Sequence, residues 1–446
     1  MDFARVKYYG KNTNLHGLKY VANERRHFLI SRLTWTAIFI LSFYGMILVF
    51  KASYKSYTES AISFVTETVY LNWNTSFPAI TLCEITSSEV PWTGQEENEA
   101  VQQFIADLIF FTGSCYSCHT PCTTCEKLNF SETVEKFRKK CSQLLSKCKW
   151  NEVSFDCCEK FLPLETEYGI CYSFNSLHTK KPSRRHHEFY FYSNRKTGPG
   201  ALFVETIEDV RLYFHAREDV PFINSDPDQR KDVMLGETYN ISINVIEIEN
   251  DENVRTLPVG TRRCRFPEEK PDELIVHEYH SYSTCVVQCH ADAHIDLCNC
   301  THHLMPVLNR GKYCDIEGLK CLTDNFETVN RLHAKGFDKP GLVCDCLPSC
   351  IEPEYKVVSN TKGVKSSHGE IFIKLQSLPT SRFKRIVVRT TMDLVGWFGC
   401  ISIQSFFINR TLFTVSIGGT AGLFIGASIL SIVETVYLLC LRRNVQ

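Results

Sequence analysis

The residue types in this chain that could do chemistry are cysteine, histidine and one carboxylate set inside an apolar run. There are 22 cysteines among 446 residues. Four fall at Cys115-x2-Cys118-x3-Cys122-x2-Cys125, a spacing that reads as a zinc site in a reducing compartment and as disulfides in an oxidising one. Six histidines crowd one stretch: His277, His280, His290, His294, His302 and His303. His290 and His294 stand four apart, so a helix would put both imidazoles on one face, within reach of a metal ion. The plainer reading makes them surface imidazoles among disulfides, titrating near neutral pH and able to couple protons to conformation. No metal site is expected. There is no HExxH, no phosphate-cradling glycine loop and no G-x-S-x-G elbow, and the basic residues form no nucleic-acid stripe. The chain is expected to be no enzyme, to carry no cofactor and to bind no nucleic acid.

The isolated carboxylate is Glu434, the single charge between Leu412 and Leu441. At about 1.5 Å per residue this run exceeds the roughly 20 residues that cross a bilayer core. Gly418, Gly422 and Gly426 form a small-xxx-small ladder that lets helix backbones approach closely in lipid. Such a buried acid faces a protein interior or water, which favours a pore-lining segment over a plain anchor. A second uncharged run, Leu33 to Phe50, lies between Arg32 and Lys51. It starts too late and runs too long for a signal peptide, and no small-residue cleavage pattern follows it.

Charge and cysteine placement orient these two spans. Residues 1–32 hold seven Lys/Arg against two acids, Arg442 and Arg443 close the chain, and positions 33–411 hold 40 Lys/Arg against 47 Asp/Glu. Basic segments stay inside, so both termini are expected in the cytoplasm. The expected organisation is a cytoplasmic segment 1–32, a span 33–50, an extracellular domain 51–411, a span 412–441 and a tail 442–446. Twenty cysteines, from Cys83 to Cys350, fall in the outside loop, as a disulfide framework in an oxidising space would. Glycosylation sequons at Asn74, Asn129, Asn240 and Asn299 lie in the same loop. A fifth, Asn409, stands too near the membrane to be used.

Periodicity fills in the elements. Ser76 to Cys83 reads as a strand, as do 201–216 and 238–250, Tyr355–Asn360, Glu370–Leu375 and Lys384–Thr391. Glu97–Phe111, Ser131–Lys149, 272–293 and Thr323–His333 read as helices. Lys51–Asn74 reads as a polar connector. In 272–293, Cys285 and Cys289 would share a face.

Six blocks resemble the epithelial sodium channel/degenerin superfamily: His16-Gly17; SFPAITLC at 76–83; TEYGICYSFN at 166–175; the cysteine series Cys264, Cys289, Cys298 and Cys300; CDCLPSC at 344–350; and Gly426-Ala427-Ser428. They cover nearly the whole chain in the family's order. The length and short tails look like its insect pickpocket branch. The resemblance implies a membrane α+β fold, two transmembrane helices flanking a large disulfide-rich extracellular domain with a β-sheet palm and helical thumb and finger regions. It implies a sodium-preferring, amiloride-sensitive cation channel of the plasma membrane, a homo- or hetero-trimer with related subunits. Gly426, Ala427 and Ser428 would line the selectivity filter, Glu434 would form a carboxylate ring below it, and His16-Gly17 would support it from the cytoplasm. Val415 and Ser416 fall at the family's gating position, where a small residue is usual. Tyr437 replaces the family's second acid. The implied disulfides are Cys83 with Cys171, Cys264 with Cys350, Cys285 with Cys346, Cys289 with Cys344, Cys298 with Cys321 and Cys300 with Cys314. The pairing of Cys115, Cys118, Cys122, Cys125, Cys141, Cys148, Cys157 and Cys158 stays open. Two rivals share the two-span topology: a scavenger-type surface receptor and a non-conducting accessory channel subunit. An ATP-gated trimer would need a lysine-rich nucleotide pocket that is not evident.

Overall fold

In a computed structural model, residues 29–85, 99–122, 124–179, 191–306, 313–334, 336, 341–364 and 367–388 are described. The chain divides into two compact units, residues 1–64, 251–262 and 385–446 in the first and 65–250 and 263–384 in the second.

In the first unit, α1 runs from Leu29 to Ser60 as one 32-residue helix, about 48 Å long at 1.5 Å per residue. The expected connector after Lys51 is therefore helical for its first ten residues. Ile30, Leu33, Ile40, Leu41 and Leu48 are all about half exposed or more, so α1 lacks the polar face of a helix packed on a soluble core. Among the described residues no helix is long and apolar enough to cross a membrane; within the uncharged run, side chains are described only from Leu33 to Val49. Beyond the helix, Ala61 and Leu257 are buried with Ile62 and Val387 beside them. The Val388 N–H donates to the Ala61 carbonyl at 2.8 Å, and the Arg385 guanidinium lies 5.1 Å over the Phe64 ring.

The second unit is built on two sheets. Five strands lie in the order Arg230–Val233, Val210–His215, Ala79–Glu84, Gly169–Phe174, Leu162–Thr166. Ala79–Glu84 is buried at every position, as expected of a central strand covered on both faces, whose sequence runs apolar instead of alternating. Six strands lie in the order Glu354–Val364, Glu237–Ile246, Gly369–Leu375, Ala201–Thr206, Leu145–Trp150, Val153–Phe155. Glu237–Ile246 pairs in parallel with Gly369–Leu375. In Ala201–Thr206 the alternate residues Leu202 and Val204 are fully buried, the period-two signature of a strand with one face inward.

The inward faces of the two sheets share one apolar cluster. Ile80, Leu82, Leu212 and Phe214 from the first meet Leu202, Val204, Ile241, Ile243, Ile371 and Ile373 from the second. Phe174 is its aromatic centre, with ring centroids of Phe191 at 4.2 Å, Phe161 at 5.6 Å, Trp150 at 5.8 Å, Phe155 at 6.1 Å and Phe77 at 6.5 Å.

Helices form a second layer in this unit: α2 (Glu99–Ile109), α3 (Phe130–Phe137), α4 (Tyr282–Cys298), α5 (Ile316–Asp324) and α6 (Phe326–Asn330). Phe104, Leu108 and Phe111 are buried with Phe130, Leu319 and Leu322. The expectation of one helix over Ser131–Lys149 fails. α3 ends at Phe137, a single turn follows at Cys141–Leu144, and Leu145–Trp150 is a strand paired with Ala201–Thr206. Phe137, Cys141 and Leu144 have helical spacing, but the edge offered by Ala201–Thr206 claims the backbone after Leu144. The 272–293 helix starts later, at Tyr282, and Thr323–His333 divides into the end of α5 and the short α6.

Candidate functional site

Helix α4 begins where its sequence supplies a reciprocal cap. The Ser281 hydroxyl accepts from the Thr284 N–H at 3.2 Å, and the Thr284 hydroxyl accepts from the Ser281 N–H at 2.8 Å, satisfying two donors that a helix start otherwise leaves orphaned. It ends at Asn299, which adopts the left-handed conformation at φ 58°, a role asparagine fills at C-caps. Cys285 and Cys289, one turn apart, bond to Cys346 and Cys344. Val287 and Ala291 pack on Leu164, Val220, Leu274, Val276 and Met305.

The histidines of this region are not surface groups. His277, His280, His290, His294, His302 and His303 are each no more than 7 % exposed. His290 Nδ1 lies 2.5 Å from Glu167 Oε1, and Glu167 Oε2 accepts from the Ile223 N–H at 2.7 Å. Burial pushes the Glu167 carboxyl up, but His290, the Ile223 N–H and His294 together hold it below its ordinary value. The His294 and His302 rings meet edge to face at 5.5 Å, and Phe111 lies 5.0 Å from His302. His303 donates from Nε2 to the Leu108 carbonyl at 2.7 Å. Burial drives His294 and His303 down to about 4 and His302 further below its usual value. These imidazoles are therefore neutral at physiological pH, contrary to the expected titration near 7. The aromatic and apolar surroundings, which spacing in the sequence does not reveal, cause the difference.

A second group of buried ionisable residues lies around Glu218 and Asp219. Glu218 is 5 % exposed. Burial, then repulsion from Asp219, pushes its carboxyl up to about 8. Asp219 accepts from the Ser283 hydroxyl at 2.7 Å, tying this group to the first turn of α4. His178 donates from Nε2 to the Glu218 carbonyl at 2.8 Å and is driven down to about 4, and its ring lies 5.0 Å from that of His277. Neither Glu167 nor Glu218 emerged as a site from sequence. The signal for Glu167 was its place in TEYGICYSFN, a carboxylate in a stretch that alternates inward.

Ten disulfides join cysteines of the described residues. Six are Cys83–Cys171, Cys264–Cys350, Cys285–Cys346, Cys289–Cys344, Cys298–Cys321 and Cys300–Cys314. The cysteines whose pairing was open bond as Cys115–Cys118, Cys122–Cys125, Cys141–Cys158 and Cys148–Cys157. Each member of the four-cysteine motif thus bonds its nearest neighbour in sequence, and among the described residues no three ligands could hold a metal ion. Asn74, Asn129, Asn240 and Asn299 are all exposed. His16, Gly17, Val415, Ser416, Gly426, Ala427, Ser428 and Glu434 lie outside the described residues.

A disulfide-dense α+β domain defines a class of protein made for an oxidising compartment. Within that class, the chain belongs to the amiloride-sensitive sodium channel family, whose model matches residues 9–438. It is 22% identical to Pickpocket protein 19 of Drosophila melanogaster over 489 residues, covering 96% of this chain and 89% of that protein. Sodium channel protein Nach of Drosophila virilis is 25% identical over 348 residues, 71% of this chain and 81% of that protein. Acid-sensing ion channel 1B of Danio rerio is 22% identical over 471 residues, 97% of this chain and 76% of that protein. The family is one of ion channels and is not enzymatic.

Proposed function

We propose that the chain is a subunit of a trimeric, sodium-preferring, amiloride-sensitive cation channel of the plasma membrane, with both termini cytoplasmic. The observation that carries this reading is the family match from residue 9 to residue 438, which takes in both apolar runs and the domain between them. The uncharged run within α1 supports the first span, since a helix apolar on all sides suits lipid. In this reading the packed sheets form the palm and α4 with its two bonded cysteines forms the thumb. The chain passes between its two units at 64–65, 250–251, 262–263 and 384–385, so rearrangement of the second unit reaches α1 and the following span through these links. Gly426, Ala427 and Ser428 form the filter, where backbone and hydroxyl oxygens replace hydration water, and Glu434 lowers the cost of cation entry. His16-Gly17 braces the filter, and Val415 with Ser416 forms the gate. Asn74, Asn129, Asn240 and Asn299 carry N-linked glycans.

Expression in oocytes, alone and with related subunits, tests the reading. The expected result is an inward current that vanishes on sodium replacement and is blocked by amiloride, with Ser428→Cys making it sensitive to a thiol reagent. Current unchanged by pore substitutions while surface delivery falls would assign the chain to the accessory class instead. Absence of current in every combination would overturn the proposal.

A further inference from the structure

A cleft of about 470 Å³ opens in the second unit between the Cys125–Ser131 turn and the start of α5. That volume lies within the roughly 300–1,000 Å³ of pockets that hold small ligands. Asn129, the acceptor of the Asn129-Phe130-Ser131 sequon, lines this cleft and is exposed, and Ser131 lines it too. Asn129 also caps α3: its Oδ1 accepts from the Glu132 N–H at 3.4 Å. That bond uses the amide oxygen and leaves the amide nitrogen, the atom that carries a sugar, outside it.

The facing wall is fixed and suited to a carbohydrate. Tyr313 is 43 % exposed and lines the cleft. The Cys314 N–H donates to the Thr301 carbonyl at 2.9 Å and Cys314 bonds to Cys300. Asp315 caps α5, accepting from the Gly318 N–H at 2.8 Å, and Glu317 pairs with Lys320 at 2.7 Å. An exposed aromatic face packs on the C–H face of a pyranose, carboxylates accept from sugar hydroxyls and acetamide N–H groups, and Leu128 and Ile316 offer apolar surface to an acetamide methyl. Among the described residues that line the cleft the charged side chains are the carboxylates Glu126, Asp315 and Glu317.

We propose that this cleft is the seat of the chain's own N-linked glycan on Asn129, whose first N-acetylhexosamine units pack against Tyr313 and Asp315 and clamp the 125–131 turn to the start of α5. The proposal rests on the extracellular placement of the domain given above. The sugar arrives from a lipid-linked oligosaccharide diphosphate: C1 bonds the Asn129 amide nitrogen as the C1–phosphate bond breaks, the nitrogen loses one proton, and the lipid diphosphate leaves.

The test is native deglycosylation of the full chain, purified in detergent, with a peptide-N-glycosidase. Mass spectrometry follows release at Asn74, Asn129, Asn240 and Asn299. A seated glycan is exposed only when it leaves the cleft, so release at Asn129 is expected about three- to tenfold slower than at the other sites, the factor that one aromatic contact gives to such an equilibrium. Tyr313→Ala should erase that difference and Tyr313→Phe should keep it, with the other three rates unchanged as the check on folding. Equal rates in the native chain, an unmodified Asn129 beside modified neighbours, or no effect of Tyr313→Ala would overturn the seat alone. Absence of glycan at all four sites would overturn both the seat and the extracellular placement.

Discussion

Glu167 and Glu218 are both buried carboxylates in opposite charge states: burial, then Asp219, raises Glu218, while the partners of Glu167 outweigh its burial. Glu167 has His290 and a backbone donor on its two oxygens and is held ionised. Removing one partner of such a buried pair strands the other, so Glu167→Gln should cost roughly 3–5 kcal/mol, read as a lowered unfolding midpoint and poor surface expression. Glu218, raised to about 8, binds its proton in the native state and releases it when unfolded. Its contribution is full below the ordinary carboxylate value and is lost as pH rises towards 8. The wild-type midpoint should thus gain, on going from pH 8.5 to 6, an increment that Glu218→Gln lacks. The buried imidazoles act in the other sense. His178, His294 and His303, lowered to about 4, favour the native state above the usual imidazole value, and that contribution falls as pH drops towards 4. Circular dichroism at 280 nm against pH should show tertiary structure lost on acidification below about 6.5. Stabilisation on acidification to pH 5 would contradict the neutral, buried assignment.

At the scale of elements, strands were more legible than helices. The stretch 201–216 reads as one strand but divides into Ala201–Thr206 and Val210–His215, which belong to different sheets, whereas Ala79–Glu84 is legible in the β-branched and apolar residues of 76–83. Leu145–Trp150 was misread because a strand with buried Leu145 and Cys148 spaced three apart imitates a helical period. Only its pairing with Ala201–Thr206 decides the matter, and that partner lies some fifty residues away. Phe174 tests how the sheets are joined. Replacing it by alanine removes one ring from contact with five others, and a loss of roughly 3–5 kcal/mol is expected, measurable as a shift of the urea midpoint. The disulfides should rank by the loop each closes. Removing Cys83–Cys171, with a separation of 88, should cost roughly 4–5 kcal/mol, and removing Cys148–Cys157, with a separation of 9, roughly 2–3 kcal/mol. Serine pairs at each site, compared by thermal unfolding, would show the order.

For the molecule as a whole, the sequence carried its class in places that elements do not explain. The six blocks of the resemblance lie far apart, and the family match now runs through all of them. The pore residues that the resemblance implies, Glu434 among them, lie outside the described residues, whereas the ionisable core near α4 was hidden because histidine and glutamate are ordinarily surface residues. Burial is a property of the assembled sheets and helices, and a local window does not contain it. The bonds of the α4 region have a consequence in time as well. Cys264–Cys350 encloses Cys285–Cys346, which encloses Cys289–Cys344, so the brackets close from the inside outward. At about 5–20 residues per second of synthesis, the 55 residues separating Cys289 from Cys344 leave three thiols waiting for roughly 3–10 seconds. Over that interval they sit beside Cys298, Cys300, Cys314 and Cys321, which can already find one another. Production of the native chain should therefore be limited by thiol exchange in the secretory pathway, and the supply of disulfide isomerase should set how many copies reach the cell surface.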